Sequence, residues 1–418
     1  MTSPSAPSHA SARRALVSGL AVTQMVGWGS TLYSFAVFVD PLEAALGASR
    51  AQTSLAFSLM LLVQGLVAFA VGRLIDAGRE RVVMSGGSLL MGLGLIAQGL
   101  APSLGWFYAA WALIGLGMSA ALYGPAFAVV TRRFPADFRR AIITVSFLGG
   151  LSITVFVPLS AWLIEHWGWR AASCTLGALH LALCLPLHAW LLRAAPPAPA
   201  AVPVSAPPAP SASSVPRAAH QHGASLSSHL RGPVFWRLGL AAVLVGAVTS
   251  AVPPHLVSLM RESGLSNDWA IAVPASIGVL QVLGRLLLYA GERWVNVHTI
   301  NLLAPLLIAL SVLALLLGRG HVPAALLFAL FYGVGNGTLT IVMGTVMAQY
   351  VSAAHVGALN GVLGLPQALV CSAAPLVVGL LWMPTRGYTL GLLLLLTLAL
   401  LGVAMLRSAQ RRALNVQP

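Results

Sequence analysis

Residues 194–233 read AAPPAPAAVPVSAPPAPSASSVPRAAHQHGASLSSHLRGP. Rich in Pro, Ala and Ser, this stretch cannot build a core, and it is expected to be a disordered, partly extended tether. What lies on either side decides the fold. Upstream are six long apolar runs, at 15–38, 51–72, 83–101, 105–130, 141–163 and 171–192. Downstream are six more, at 236–257, 269–289, 297–317, 322–348, 357–381 and 387–406. About 20 apolar residues cross a bilayer's hydrocarbon as a helix. Backbone groups in lipid must bond within their own segment, so each run predicts a helix. The expected fold is an all-α membrane protein of twelve transmembrane helices in two six-helix bundles. Its parts are a tail at 1–14, a bundle at 15–193, the linker 194–233, a second bundle at 234–406 and a tail at 407–418.

Composition agrees. The chain is 58% hydrophobic and only 8% charged, with a mean hydropathy of +0.87; a soluble domain carries about 25% charged residues. The net charge of +14 could suggest nucleic acid. The basic residues form no groove-reading face, however, and no zinc-finger or helix-turn-helix spacing occurs, so no nucleic-acid partner is expected. Every basic residue is Arg, and most lie between apolar runs. With the N-terminus cytoplasmic, only Arg50, Arg170, Arg261, Arg319 and Arg386 of the 23 fall on the far side. That bias predicts both termini and the linker to be cytoplasmic. Cys174, Cys184 and Cys371 all sit inside apolar runs without paired spacing, which predicts neither a disulfide framework nor a metal site. His220 and His222 in the linker are read as plain linker residues, against a metal-binding tract. No cleavage signal follows the first apolar run, so it is expected to stay as a helix.

The two halves repeat. Gly72-Arg73-Leu74 ends the second run and Gly284-Arg285-Leu286 ends the eighth; Gly115-Leu116-Gly117 and Gly333-Val334-Gly335 mark the fourth and tenth. Matching marks at matching places are what a duplicated six-helix unit leaves behind.

The loop after the second run, GRLIDAGRER at 72–81, resembles the signature loop of the major facilitator superfamily, in which a Gly, three residues, an acid, a Gly and basic residues join helices 2 and 3. The resemblance implies a gating loop built on Gly72, Arg73, Asp76, Gly78, Arg79 and Arg81. Gly72 would permit close helix contact. Asp76 would pair with an Arg or a helix N-terminus, where an anion is favoured. The copy departs from the pattern in having Ala77 where a basic residue is expected and in being one residue short. The second copy has Leu288 and Tyr289 in place of the acid. The resemblance covers roughly 15–406. More narrowly, Gly27-Trp28-Gly29-Ser30-Thr31-Leu32-Tyr33-Ser34-Phe35, the loop from Arg132-Arg133-Phe134 to Arg139-Arg140, and Trp167-Gly168-Trp169-Arg170 look like bacterial members related to the monocarboxylate and oxalate/formate carriers. This implies a multi-pass protein of a bacterial inner membrane, expected to be monomeric. Its partners would be the lipid bilayer and a small-molecule substrate, with protons as a candidate coupling ion and no cofactor.

Monocarboxylate carriers place an acid four residues before an Arg in helix 8, and that Arg meets the substrate carboxylate. Here Gln281 and Arg285 have that spacing. Arg suits a carboxylate because it stays charged and offers forked donors. A loop-locking role mirroring Arg73 is the alternative. His255 follows Pro253-Pro254, which is expected to break the helix and free carbonyls. It is the candidate proton-coupling group, against a histidine that merely faces water. His180 is expected to pack or cap. Asp40 and Glu43 could gate entry or be solvated loop residues. Because helices 1, 4, 7 and 10 line the cavity in this superfamily, Gln24, Tyr33, Tyr123 and Asn336 lead the candidate substrate set, with Gln281, Arg285 and Asn360 beside them. Trp28, Thr340 and Gln367 are further polar positions, and any of these groups could instead bond between helices. Gly357, Gly361 and Gly364 predict close helix packing. The Gly-Pro-x-x-Gly-Gly pattern of drug/proton antiporters is absent: helix 5 has Gly149-Gly150 and then Pro158. No Ser-His-Asp set, phosphate-cradling loop or HExxH appears, so no enzyme is expected. The expected function is a secondary active transporter, symporter or antiporter, moving a small organic anion or other small metabolite by alternating access. The alternatives are an efflux pump for hydrophobic compounds and a non-transporting sensor acting through the tether.

Overall fold

The computed structural model describes residues 9–134, 138–193, 226–291, 294–318, 320–352 and 355–416, excluding the side chains of 9–12, 139 and 416. Within these residues nearly everything is helical and no strand is formed. The first half holds α1 (His9–Trp28), a π-turn (Gly29–Tyr33), α2 (Phe35–Leu46), α3 (Arg50–Asp76), α4 (Glu80–Gly99), α5 (Leu104–Ala121) and α6 (Tyr123–Arg133). It ends with α7 (Phe138–Gly150), α8 (Ser152–Leu179), a second π-turn (His180–Cys184) and α9 (Leu185–Leu191). The second half holds α10 (Leu226–Arg231), α11 (Pro233–Glu262), α12 (Asn267–Gly291), α13 (Val297–Leu317), α14 (Val322–Tyr350), α15 (Val356–Leu380) and α16 (Thr389–Val416).

Ten helical segments among the described residues are long and apolar enough to cross a membrane. One of them, Arg140–Leu191, has 52 residues, about twice what a bilayer needs. It is folded at Gly168, whose φ of 75° and ψ of 161° interrupt the helix, a conformation open to glycine alone. The segment from α1 to α2 is broken by its π-turn and is not one of the ten.

Three sequence expectations change here. The helix does not break at Pro253-Pro254: α11 runs unbroken through both. Proline removes the donor for the carbonyl four residues earlier. The Tyr332 hydroxyl donates to the Thr249 carbonyl at 3.3 Å and replaces the bond lost to Pro253, as neighbouring helices do within membranes. Residues 194–225, with His220 and His222, lie outside the described residues, but the end of the stretch read as a tether forms α10. In the same way α16 continues as helix well past residue 406.

The repeated glycines make repeated contacts. Gly115 leaves no room for a Cβ against the Met60 carbonyl of α3, and Gly333 none against Leu280 of α12. Gly117 packs on Gly87 of α4, and Gly335 on Leu307 of α13. Each half thus presses its fourth long helix onto its second and third.

The halves meet where the large apolar cluster of the second half takes in Ala36, Val37, Ile153 and Val157 of the first. They also meet along α3 and α15. A Cβ on Gly379 would lie 2.5 Å from Ser54, and one on Gly65 would lie 2.8 Å from Ala368. Beyond that pair the helices part. Gly72, Gly357, Gly361 and Gly364 have nothing within 4 Å of a Cβ, so the close packing expected of them is not made. The molecule is sealed at one end and splayed at the end carrying the 72–81 loop.

Candidate functional site

Between the halves lies a cavity of about 310 Å³. From the first half it is lined by Trp28, Tyr33 and Gln64, and from the second by Gln281, Tyr332 and Asn336, among apolar neighbours such as Leu256. Tyr33 and Gln281, one from each half, both line it. A second cavity, of about 490 Å³, shares Trp28 and Gln64 and runs to Tyr123, Gly72 and Asp76 at the splayed end. Trp28 and Tyr123 stand with ring centroids 5.1 Å apart.

Arg285 lies one helical turn beyond Gln281 on α12. It donates to the Ser146 carbonyl of α7 at 2.7 Å and is not itself among the residues lining either cavity. No carboxylate among the described residues forms an ion pair with it. A cation so placed, with forked donors and no counter-charge, attracts anions.

Sealing the opposite end is a charged network shared by both halves. Asp40 accepts from Arg261 at 2.6 Å and from Ser258 at 3.1 Å. Arg50 lies 3.1 Å from Asp40, 2.9 Å from Glu43 and 3.8 Å from Glu262. Arg50 also donates to the Tyr388 hydroxyl at 2.8 Å and stacks near Trp382 and Tyr388, while Trp382 donates to Glu262 at 2.9 Å. Burial raises the Glu43 carboxyl above its usual range, and Arg50 beside it pulls the other way. His255, fully buried, continues the network. Its Nε2 faces the Pro375 carbonyl at 3.1 Å, which can only accept, so that nitrogen carries the proton. Its Nδ1 then accepts from the Tyr388 hydroxyl at 3.1 Å, giving a one-way chain from Arg50 through Tyr388 and His255 to Pro375.

The model of the family described as Major Facilitator Superfamily matches residues 19–375. The chain belongs to the Major Facilitator Superfamily. It is a transporter and not an enzyme, and an integral, multi-pass membrane protein. Among similar proteins, monocarboxylate transporter 13 of Bos taurus is 28% identical over 85% of this chain and 78% of its own. The oxalate:formate antiporter of Oxalobacter formigenes is 28% identical over 38% of each. Similar solved structures include a bacterial homologue of the human lysosomal transporter Spinster in an inward-facing, unoccupied conformation (TM-score 0.71, 17% identity, 97% of this chain and 98% of that one). Another is the nucleoside transporter NupG (TM-score 0.67, 14% identity, 96% and 99%). These structural likenesses bear on the fold.

Tyr33, Gln281 and Asn336 therefore share the central cavity of this superfamily member, and Tyr123 lines the adjoining one. Gln24 lies elsewhere: fully buried, it donates to the Ala121 carbonyl at 2.9 Å, tying α1 to the end of α5, just before the extended Leu122. Asn360 is exposed on α15. Thr340 bonds back to the Gly337 carbonyl at 2.8 Å. In the superfamily loop, Gly78 is held at a φ of 79°, while Arg73, Asp76, Arg79 and Arg81 are exposed. The ion pair there belongs to Glu80. Only 2% exposed, it meets Arg133 closely and Arg132 at 3.9 Å. Glu80 went unnoticed in the sequence, although an acid in a helix's first turn facing an Arg pair was the available signal. Gln64 and Tyr332 were missed too, being single polar groups inside long apolar runs.

Proposed function

We propose that the chain carries a small organic anion across a bacterial inner membrane by alternating access. It would use twelve crossing helices in two six-helix bundles with both termini cytoplasmic. Counting Arg140–Leu191 as two crossings and α1–α2 as another supports the number, and the Arg bias supports the orientation. The splayed end is then the cytoplasmic one. The observation that carries the substrate class is Arg285, a guanidinium one helical turn from the cavity-lining Gln281 and without a carboxylate partner among the described residues. A carboxylate substrate would take its forked donors, with Tyr33, Gln281 and Asn336 satisfying its remaining oxygens and Tyr123 on the exit path. The relatives that transport monocarboxylate or exchange oxalate for formate favour the same chemistry. Gln281, standing where an acid would hold a proton, favours exchange of one anion for another. Proton coupling would have to run through His255, whose neutral form completes the sealed end.

The test is counterflow in proteoliposomes loaded with unlabelled oxalate, formate or lactate against the labelled acid. Arg285→Gln is expected to abolish exchange and Arg285→Lys to weaken apparent affinity at least tenfold, the forked geometry being lost. Unchanged exchange and affinity in both variants would overturn the anion site. Deleting residues 200–220 should spare flux in a carrier and would abolish output in a sensor.

A further inference from the structure

We propose that His180 is a positioning residue for the central cavity: its bond to Ser30 latches the π-turn of the first helix and so decides that Tyr33 faces the cavity. A π-turn holds one residue more than an α-turn and occurs where something sustains it. Here three hydroxyls do so. Ser30 bonds the Val26 carbonyl at 2.7 Å, Thr31 the Gly27 carbonyl at 2.6 Å, and Ser34 the Gly29 carbonyl at 2.7 Å. Gly29 admits no Cβ against Phe156, which lets α8 press directly on the turn.

The second π-turn faces the first. Pro186 has no N–H for the Ala182 carbonyl, and its ring crowds that turn, so the backbone widens over His180–Cys184. The His180 ring thereby meets Ser30, Nε2 to Oγ, at 2.7 Å with both residues buried. The hydroxyl has one hydrogen and spends it on the Val26 carbonyl, so Nε2–H of a neutral His180 must donate to Ser30. Nδ1 is buried and has no partner, which leaves Ser30 as the contact that orients the ring. Two widened turns locked by one hydrogen bond fix the register of Tyr33 and of everything after it.

The inference rests on reading the central cavity as the substrate site, but its test needs no substrate. In a background carrying Cys174→Ser and Cys371→Ser, with the buried Cys184 retained, Tyr33→Cys is labelled by a water-soluble maleimide in the full-length purified protein. If the π-turn relaxes, later side chains turn by about 100°, one residue of an α-helix, and the thiol leaves the cavity, so labelling should slow roughly tenfold. That slowing is expected in His180→Ala and Ser30→Ala. His180→Gln, whose amide nitrogen can replace Nε2–H, should restore the parent rate. Parent-like labelling in both alanine variants overturns the latch even if their thermal stability falls, because a packing role alone would lower stability without turning residue 33. A Tyr33→Cys thiol that is unreactive in the parent background overturns it as well. A carrier whose cargo is not a carboxylate would still give the expected pattern, so the two readings fail separately.

Discussion

Arg50→Met tests the sealed end most directly. Arg50 is 8% exposed and bonds to both halves. Its contacts to Asp40 and Glu43 stay within the first half and survive opening, so only those to Tyr388, Glu262 and Trp382 favour sealing. The charged bond to Tyr388 contributes about 1.5–3 kcal/mol. The longer pair with the partly exposed Glu262 adds less than about 1 kcal/mol, and stacking over the two rings about 0.5–1 kcal/mol. A loss of roughly 3 kcal/mol should move the balance toward a form open at this end by about two orders of magnitude, at 1.36 kcal/mol per decade. Leu256 is 2% exposed and lines the central cavity behind the seal. Leu256→Cys, probed with an impermeant thiol reagent from outside in the background lacking Cys174 and Cys371, should label at least tenfold faster with Arg50→Met, the gain saturating once the open form predominates. A rate unchanged within threefold, in a variant that stays folded and monodisperse, would show that the network does not hold this end shut.

Glu43 gives a pH dependence of definite sign. A carboxyl held above its usual range in the sealed state binds its proton more tightly there than where water reaches it, so acid favours sealing as pH falls through the raised value and has no further effect below the ordinary one. Outside labelling of Leu256→Cys should slow with acid, and Glu43→Gln should remove that part of the profile. In the superfamily loop, Glu80→Gln takes a buried carboxylate from Arg133 and should lower stability by about 3 kcal/mol in thermal unfolding. Exposed Asp76→Asn should stay within about 0.5 kcal/mol; equal losses would contradict the reassignment of the ion pair.

Hydropathy gave away the fold because lipid leaves one solution for a long apolar run, and the 72–81 loop gave away the family. Side-chain destinations were harder to read. Inside a bundle both faces of a helix are covered, so a polar residue announces that it needs a partner without saying on which side. Gln24 and Tyr33 lie nine residues apart, about two and a half turns; one bonds a carbonyl in its own half and the other lines the cavity between the halves with Gln281. The π-turn between them shifts register, and no periodicity in the apolar pattern betrays it. The hydroxyl run Ser30-Thr31-Ser34 was the usable sign, since such side chains bond back to carbonyls that a widened turn frees. Asp40 and Glu43 were legible as acids near a helix end, but Arg50 at their centre was not. Its oddity lay in being an Arg on the side the chain otherwise keeps poor in Arg.

The two ends of the α3–α15 contact use different chemistry, and the difference bears on how the molecule can move. Toward the sealed end the pair is closed by charges and by Ser54 under Gly379. Toward the splayed end, past Gly65 and Ala368, the gap is lined by small and apolar residues with Gln64, Ser119, Tyr123 and Asp76 among them, and no ion pair between the halves forms there among the described residues. Closing that gap would bury apolar surface without first breaking ion pairs at the same end, whereas opening the other end must break the Asp40–Arg261 and Arg50–Tyr388 bonds. In the proposed cycle the barrier to rocking would therefore sit mainly in the network at the sealed end. Substitutions there should shift the balance between states, while substitutions at Gly72, Gly357, Gly361 or Gly364 should chiefly block one state. Large side chains at these four positions would leave the present conformation intact, since each has open space here, and would prevent the opposite one, where α3 and α15 must approach.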